Sequence, residues 1–315
     1  MKGLVVRSGQ LQLVDDLPVP TPGPGQVRVE VLCASVNPTD LEMADGTYDE
    51  LLRSHGRLEL PRTGLEFSGI VRSTGQSFEE GAEVFGYVDL LQGEKTHQAQ
   101  LVIEEAFVAR KPALVSFEEA AALPLGGQTS LVGLRDVALA REGERVLISG
   151  ASGGLGVFAV QIAAKRLQLH VTAVAGPGQD SFLHGLGAHE VLDYTKTDVR
   201  KSGLEFDVIF DLSTKMRFDD VEHLLSPKGR FMPSEPLKAG VDFTPGARSG
   251  ERSANLWIPH GDGEVAQQLA QSVVDGSLDV IVDSVHAFED FRIAFDRMTQ
   301  SSKRGRIVVR IAEGE

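Results

Sequence analysis

Cysteine is almost absent: Cys33 is the only one in 315 residues. No disulfide can close within the chain, and no cysteine-rich zinc site can be built. Within VEVLCASV, Cys33 reads as a small buried apolar residue rather than a catalytic thiol. Positive charge is also short. Lys and Arg number 31 against 45 Asp and Glu, a formal net charge of −14. Non-specific binding to nucleic acid or an anionic membrane needs a basic face, so neither is expected as a partner. An anionic cofactor is still allowed, because a helix N-terminus holds phosphate without any lysine. No apolar run reaches the roughly 18 residues of a membrane span. The opening MKGLVVRSGQLQLVDD has too short an apolar stretch for a signal peptide, so a cytoplasmic protein is expected. Internal repeats and low-complexity segments are lacking as well.

What is present suits a folded protein. Hydrophobic residues make up 42% of the chain and charged residues 24%, enough for one large or two medium domains. The first ~110 residues are β-rich: VRVEVLCAS (27–35), FSGIVRSTG (67–75), EGAEVFGYV (80–88) and HQAQLVIEE (97–105) are punctuated by Gly and Pro. Such spacing suggests a barrel or sandwich. Near Ser116 the pattern turns helical, with Ser116 as N-cap and Glu119 three residues later. From Glu144, apolar strands alternate with helices, as in a parallel sheet covered on both faces. Helices are expected over 264–276 and 287–299, with a strand at 280–283 between them. The last strand, GRIVVRI (305–311), is placed to pair with the N-terminal β-region.

One stretch supports two readings. RVLISGASGGLGVFAVQIAAK (145–165) runs from strand to turn to helix. Gly150, Gly153 and Gly156 suit a loop that wraps a nucleotide's phosphates. The residues 150–154 also spell G-x-S-x-G, the elbow that exposes a nucleophilic serine. Three features favour the phosphate loop. An elbow gives no reason for Gly156. The next strand, HVTAVA, ends in Ala175-Gly176 with no acidic residue to hold an NAD ribose, which leaves room for a 2′-phosphate. No oxyanion loop precedes the serine. The hydrolase alternative keeps Ser152, with Asp211 and His260 as acid and base in the right chain order.

Taken jointly, ASVNPTDLEMADG (34–46), TGLEFSGIV (63–71), AAALPLGGQTSL (120–131), VLISGASGGLGVFAVQIA (146–163), LGAHEVLDY (186–194), FDVIFD (206–211) and KRGRIVVRI (303–311) resemble the medium-chain dehydrogenase/reductase superfamily. The chain looks most like its zinc-independent quinone oxidoreductase branch. The resemblance covers nearly the whole chain. It implies an α/β fold: a Rossmann-type doubly wound parallel sheet over 116–259, beside a GroES-like β-barrel domain built from 1–115 and 260–315. The active site would lie in the cleft between them.

The same resemblance argues against metal. Where the zinc-dependent branch has a cysteine this chain has Asn37, and its G-H-E motif reads Gly64-Leu65-Glu66. His184 and His189 are five apart, not the three or four that align two ligands on a helix face. What remains is hydride transfer from a nicotinamide cofactor to a quinone or α,β-unsaturated carbonyl, where the acceptor oxygen needs only hydrogen-bond donors and water supplies the last proton. The resemblance places Asn37 and Asp40, in VNPTD, beside the nicotinamide and substrate, with Asn37 as donor; Tyr48 is an extra donor. From the residues alone, N-P-T-D is a turn. Expected at the cofactor are Thr129, Ser152, Gly153, Gly154, Leu155, Gly156, Ala175, Gly176, Tyr194, Asp211 and Leu212. Tyr194 stands where similar enzymes contact a 2′-phosphate, so NADP(H) is expected over NAD(H), although GPGQDSF after the second strand holds no Lys or Arg. A non-catalytic NADP-binding redox sensor of the same fold is the other alternative. A homodimer is expected, with ANLWIP (254–259) as a sheet edge across it.

Overall fold

The computed structural model describes residues 1–7, 10–54, 63–90, 94–234, 252 and 260–312. The dimer-edge candidate at 254–259 lies outside the described residues.

Strands are numbered in chain order. A hairpin of β1 (Gly3–Arg7) and β2 (Gln10–Val14) opens the chain. The N-terminal sheet contains β3 (Gln26–Val36), β4 (Glu66–Val71), β5 (Glu83–Tyr87), β6 (Gln100–Glu104) and β7 (Val108–Arg110). The parallel sheet contains β8 (Arg145–Ser149), β9 (His170–Ala175), β10 (Glu190–Asp193), β11 (Phe206–Asp211) and β12 (Leu225–Pro233). The tail adds β13 (Val282–Ala287) and β14 (Arg306–Arg310) to the N-terminal sheet. β14 runs antiparallel to β3, with Ile307 opposite Val36 and Val309 opposite Ala34. The end of the chain therefore closes a sheet that its beginning starts.

The parallel sheet has the order β10-β9-β8-β11-β12. All these pairings are parallel, and the order in which strands are added reverses between β8 and β11, the switch point where open α/β sheets bind ligands beyond their carboxyl ends. Its central strands are mostly apolar, and one large core cluster joins Val146, Ile148, Val171, Ala173, Val208 and Phe210 to the covering helices. Val265, Ala266, Leu269 and Ala270 of the helix Gly263–Val274 belong to that same cluster. A second core fills the N-terminal sheet around Val29, Val31, Phe67, Val84 and Leu101, and takes in Phe288, Phe291 and Phe295 from the tail. Cys33 lies buried among Ala121, Ala122 and Val308, and burial pushes its thiol up to about 12. The VNPTD segment is not an isolated turn: Asn37 caps the helix Pro38–Asp45, and Pro38 takes its first position. Among the described residues no helix is long and apolar enough to cross a membrane.

Candidate active site

A cleft of about 870 Å³ opens at the carboxyl ends of β8, β9 and β11. Its floor is the loop after β8. Gly150 takes φ of +78°, open to glycine at little cost. A Cβ on Gly156 would stand 2.3 Å from the Gly150 carbonyl oxygen and 2.5 Å from that of Ala151. Only glycine lets the helical run 156–166 start this close to the strand. The loop spends its first N–H groups on the sheet: those of Gly150 and Ala151 both donate to the Val174 carbonyl at 3.1 Å. The N–H groups of Gly154 and Leu155 have no backbone partner among the described residues, and both residues line the cleft. Bare N–H groups at the start of a helix attract anions.

The tail approaches from the other side. Gly305 N–H donates to the Ser152 carbonyl at 3.0 Å, and Arg306 packs its Cδ and Nη1 3.0 Å from the point where a Cβ on Gly154 would sit. Arg306 is 2% exposed and lines the cleft. Its Nη2 donates to the Asn37 Oδ1 at 2.9 Å and to the Ser35 hydroxyl at 3.2 Å, and ion-pairs with Glu66. Its Nε is buried without a partner among the described residues. Burial lowers its pKa to about 10, still far enough above neutrality to keep it charged. Glu66, fully buried, also accepts from the Ser35 hydroxyl at 3.0 Å and the Leu125 N–H at 2.7 Å. Lys303 lines the cleft too, and burial lowers its pKa; its Nζ donates to the Met298 and Gln300 carbonyls at 2.7 and 2.5 Å. In a chain of net charge −14, the cleft is lined by four cations, Arg200, Lys215, Lys303 and Arg306, and one carboxylate, Asp198.

Of the expected residues, Ser152, Gly153, Gly154, Leu155, Gly156, Ala175, Gly176, Tyr194 and Leu212 line the cleft together. Asn37, Asp40, Tyr48, Thr129 and Asp211 are not among its lining residues. Asn37 is buried with both ends of its amide engaged, Nδ2 donating to Glu66 at 3.3 Å and Oδ1 accepting from Arg306. Asp40 accepts the N–H groups of Asn37 and Gly64 at 2.7 and 2.6 Å; burial raises its pKa, opposed by the nearby His97. Tyr48 is half-buried against the apolar core of the N-terminal sheet. Asp211 is fully buried and accepts from the Ser213 N–H and hydroxyl and from the Met216 N–H, so it shapes the loop 211–216. The residues missed in the sequence are Glu66 and Arg306. Their signal was an acid and a base at the starts of two apolar strands, EFSGIV and RIVVR.

The residues of the hydrolase alternative do not come together. Asp211 is tied to its own loop, and His260 stacks on Phe107 at 4.6 Å, with Nδ1 2.9 Å from the Gly261 carbonyl. Among the described residues no acid–base pair is hydrogen-bonded to the Ser152 side chain. Leu65 is packed in an apolar cluster, the Asn37 amide is engaged, and among the described residues no three His, Cys, Asp or Glu side chains are grouped to hold a metal. A dinucleotide fits: glycines shape a cradle that a Cβ would fill, two N–H groups of cleft-lining residues lack a backbone partner among the described residues, and a buried arginine flanks it.

Two family models match: an alcohol dehydrogenase GroES-like domain over residues 23–124, and a zinc-binding dehydrogenase domain over 186–309. The quinone oxidoreductase of Sus scrofa is 33% identical over 233 residues, 70% of this chain and 67% of that protein. The 2-methylene-furan-3-one reductase of Solanum lycopersicum is 26% identical over 95% of this chain and 75% of its own length. The structure of the quinone oxidoreductase from Coxiella burnetii superposes with a TM-score of 0.86 at 23% identity, covering 99% of both chains. With its GroES-like domain, its parallel sheet and these relatives, the chain is an oxidoreductase of the medium-chain dehydrogenase/reductase superfamily, quinone oxidoreductase-like.

Proposed function

We propose that the chain is a reductase that uses NADP(H) in preference to NAD(H), works without zinc, and acts on quinones or α,β-unsaturated carbonyls. The observation that carries this is the cleft itself: bare N–H groups and four cations at the switch point of a parallel sheet, in an acidic protein. The bound nicotinamide supplies the hydride. The chain's own part is to bind and orient. The loop 150–156 receives the pyrophosphate through its main chain. Arg306 and Lys303 face it from the tail, and Arg306 is held charged and in place by Glu66, Asn37 and Ser35. Asn37 and Asp40 act as positioning residues, one fixing Arg306 and the other fixing the start of the helix 38–45. The apolar wall of Val36, Pro38 and Met298 favours an uncharged acceptor. No acid–base side chain in the cleft is assigned a proton transfer, so water protonates the reduced acceptor.

Relatives named for a quinone and for a conjugated ketone support both acceptor classes. A cytoplasmic location and a homodimer belong to the same proposal; sedimentation velocity reads the dimer. The test of function is oxidation of NADPH with 1,4-benzoquinone and with a simple enone, with and without a chelator. Turnover that survives chelation supports the reading. No turnover with either acceptor, despite tight NADPH binding, turns it to a redox-sensing cofactor-binding protein.

A further inference from the structure

The four cations of the cleft fall into two pairs in different places. Lys303 and Arg306 come from the tail and flank the glycine loop. Arg200 and Lys215 come from the connections that follow β10 and β11, and line the same cleft as Ala175 and Gly176, where β9 ends, and Tyr194. That rim of the cleft is the adenosine end, since the second strand of such a fold points at the adenosine ribose. Tyr194 marks it: its N–H donates to the Ala175 carbonyl at 3.1 Å, and its hydroxyl lies 3.1 Å from where a Cβ on Gly176 would sit. A dinucleotide with only a pyrophosphate needs the first pair. The second pair has no anion to meet in NAD.

The geometry points to Arg200 and Lys215 as a 2′-phosphate site, and so to the residues that set NADP(H) over NAD(H). The inference rests on the cofactor reading above and names which side chains carry the preference. The loop after β9 holds no Lys or Arg, so the charge is delivered from two other segments. Each is prepared for it. Asp211 fastens the Ser213 N–H and hydroxyl and the Met216 N–H, at 3.0, 2.6 and 3.0 Å, and so pins the loop that carries Lys215 at the rim. The Lys215 ammonium has no ion-pair or hydrogen-bond partner among the described residues. Asp198 accepts from Arg200 Nε and Nη2 at 2.7 and 3.1 Å, which orients the guanidinium and leaves Nη1 unused. With Asp198 neutralised by Arg200, the rim has a net positive charge. An NAD site would place a carboxylate there to take the ribose hydroxyls.

The experiment compares adenosine 2′,5′-bisphosphate with adenosine 5′-monophosphate by calorimetric titration of the full chain, alongside NADPH and NADH. The ligands in each pair differ only by the 2′-phosphate. Charge-assisted hydrogen bonds of this kind contribute roughly tenfold in affinity per cation. The native protein should bind the bisphosphate at least tenfold more tightly than the monophosphate, with a steeper loss on adding salt. Lys215→Gln and Arg200→Gln should each shrink that ratio roughly tenfold, or to unity where it starts near tenfold. Lys215→Arg should keep it, and an unchanged circular dichroism spectrum checks that each variant is folded. Equal affinity for the two nucleotides in the native protein overturns the inference. So does an equal loss of both in the variants; in either case the reductase reading stands on NADH or NADPH binding. If none of the four ligands binds, the reductase reading itself fails and takes the inference with it.

Discussion

Two loops meet at the cleft and are built in opposite ways. The loop 150–156 works through main chain: small residues, bare N–H groups and close approaches that exclude side chains. The segment 35–40 works through side chains: Ser35, Asn37 and Asp40 are buried, and their polar atoms join Glu66, Arg306 and Gly64 in one knot. The first is damaged by adding atoms, the second by removing them. The difference also separates roles. An open backbone receives a ligand; a closed network of side chains holds the tail, and with it Arg306, against that backbone.

The comparison is most easily broken at Arg306. Arg306→Ala leaves Glu66 as an uncompensated buried charge and should cost about 3–5 kcal/mol of stability. Urea unfolding reads the loss, and Arg306→Ala with Glu66→Gln should recover a good part of it. Asn37→Ala comes next. It unpairs one donor and one acceptor in the knot and should cost about 1–3 kcal/mol. If Asn37 positions rather than reacts, KM for the cofactor should rise while kcat changes little; a fall in kcat alone at unchanged stability would make it a donor to substrate instead. On the other side, Gly156→Ala forces a Cβ into two carbonyls and should cost about 1–3 kcal/mol, with weaker cofactor binding. A Ser152→Ala variant, whose main chain is unchanged, should bind the cofactor as the native protein does.

A pH test touches only the side-chain knot. His97 is fully buried; its Nδ1 lies 2.7 Å from the Thr63 hydroxyl and its Nε2 3.1 Å from the Ser35 carbonyl. Burial lowers its pKa, opposed by Asp40. The unfolded chain therefore takes up a proton near pH 6.5 that the folded chain refuses, and stability falls as the pH drops below that value. The contribution is at most about 1.4 kcal/mol per pH unit. The buried Asp40 has its pKa raised, so its contribution has the opposite sign: from about pH 3.9 upward the folded chain keeps a proton that the unfolded chain has lost, and that stabilisation fades as the pH rises through the raised value. His97→Gln should flatten the profile between pH 6.5 and 5.5. The smallest effect is at the rim, where Tyr194 is 58% exposed. Tyr194→Phe should weaken NADPH binding roughly two- to tenfold.

The sequence made the main-chain half of this site legible and left the side-chain half obscure. Glycine spacing is local: Gly150, Gly153 and Gly156 constrain one turn, so the cradle follows from a single stretch. The alternating strands and helices after Glu144 gave the parallel sheet for the same reason. The knot is non-local. Glu66 and Arg306 stand 240 positions apart and meet because β14 pairs with β3 and β3 with β4. Nothing in EFSGIV or RIVVR alone says that the leading charge faces inward. N-P-T-D read as a turn because its chemistry suits one. It begins a helix, with the Asp40 carboxylate accepting the Asn37 N–H as a cap would. Arg200 and Lys215 are not legible from the loop after β9, because they belong to the connections after β10 and β11, and only the folded sheet brings those segments to one cleft.

The most direct measurement is a single-turnover experiment: NADPH bound to the metal-free protein, mixed with 1,4-benzoquinone, and followed by the loss of nicotinamide absorbance. The account predicts one NADPH oxidised per site, well above the rate without protein, and unchanged by chelator. Oxidation no faster than in buffer, or oxidation that returns only when zinc is added, would contradict it.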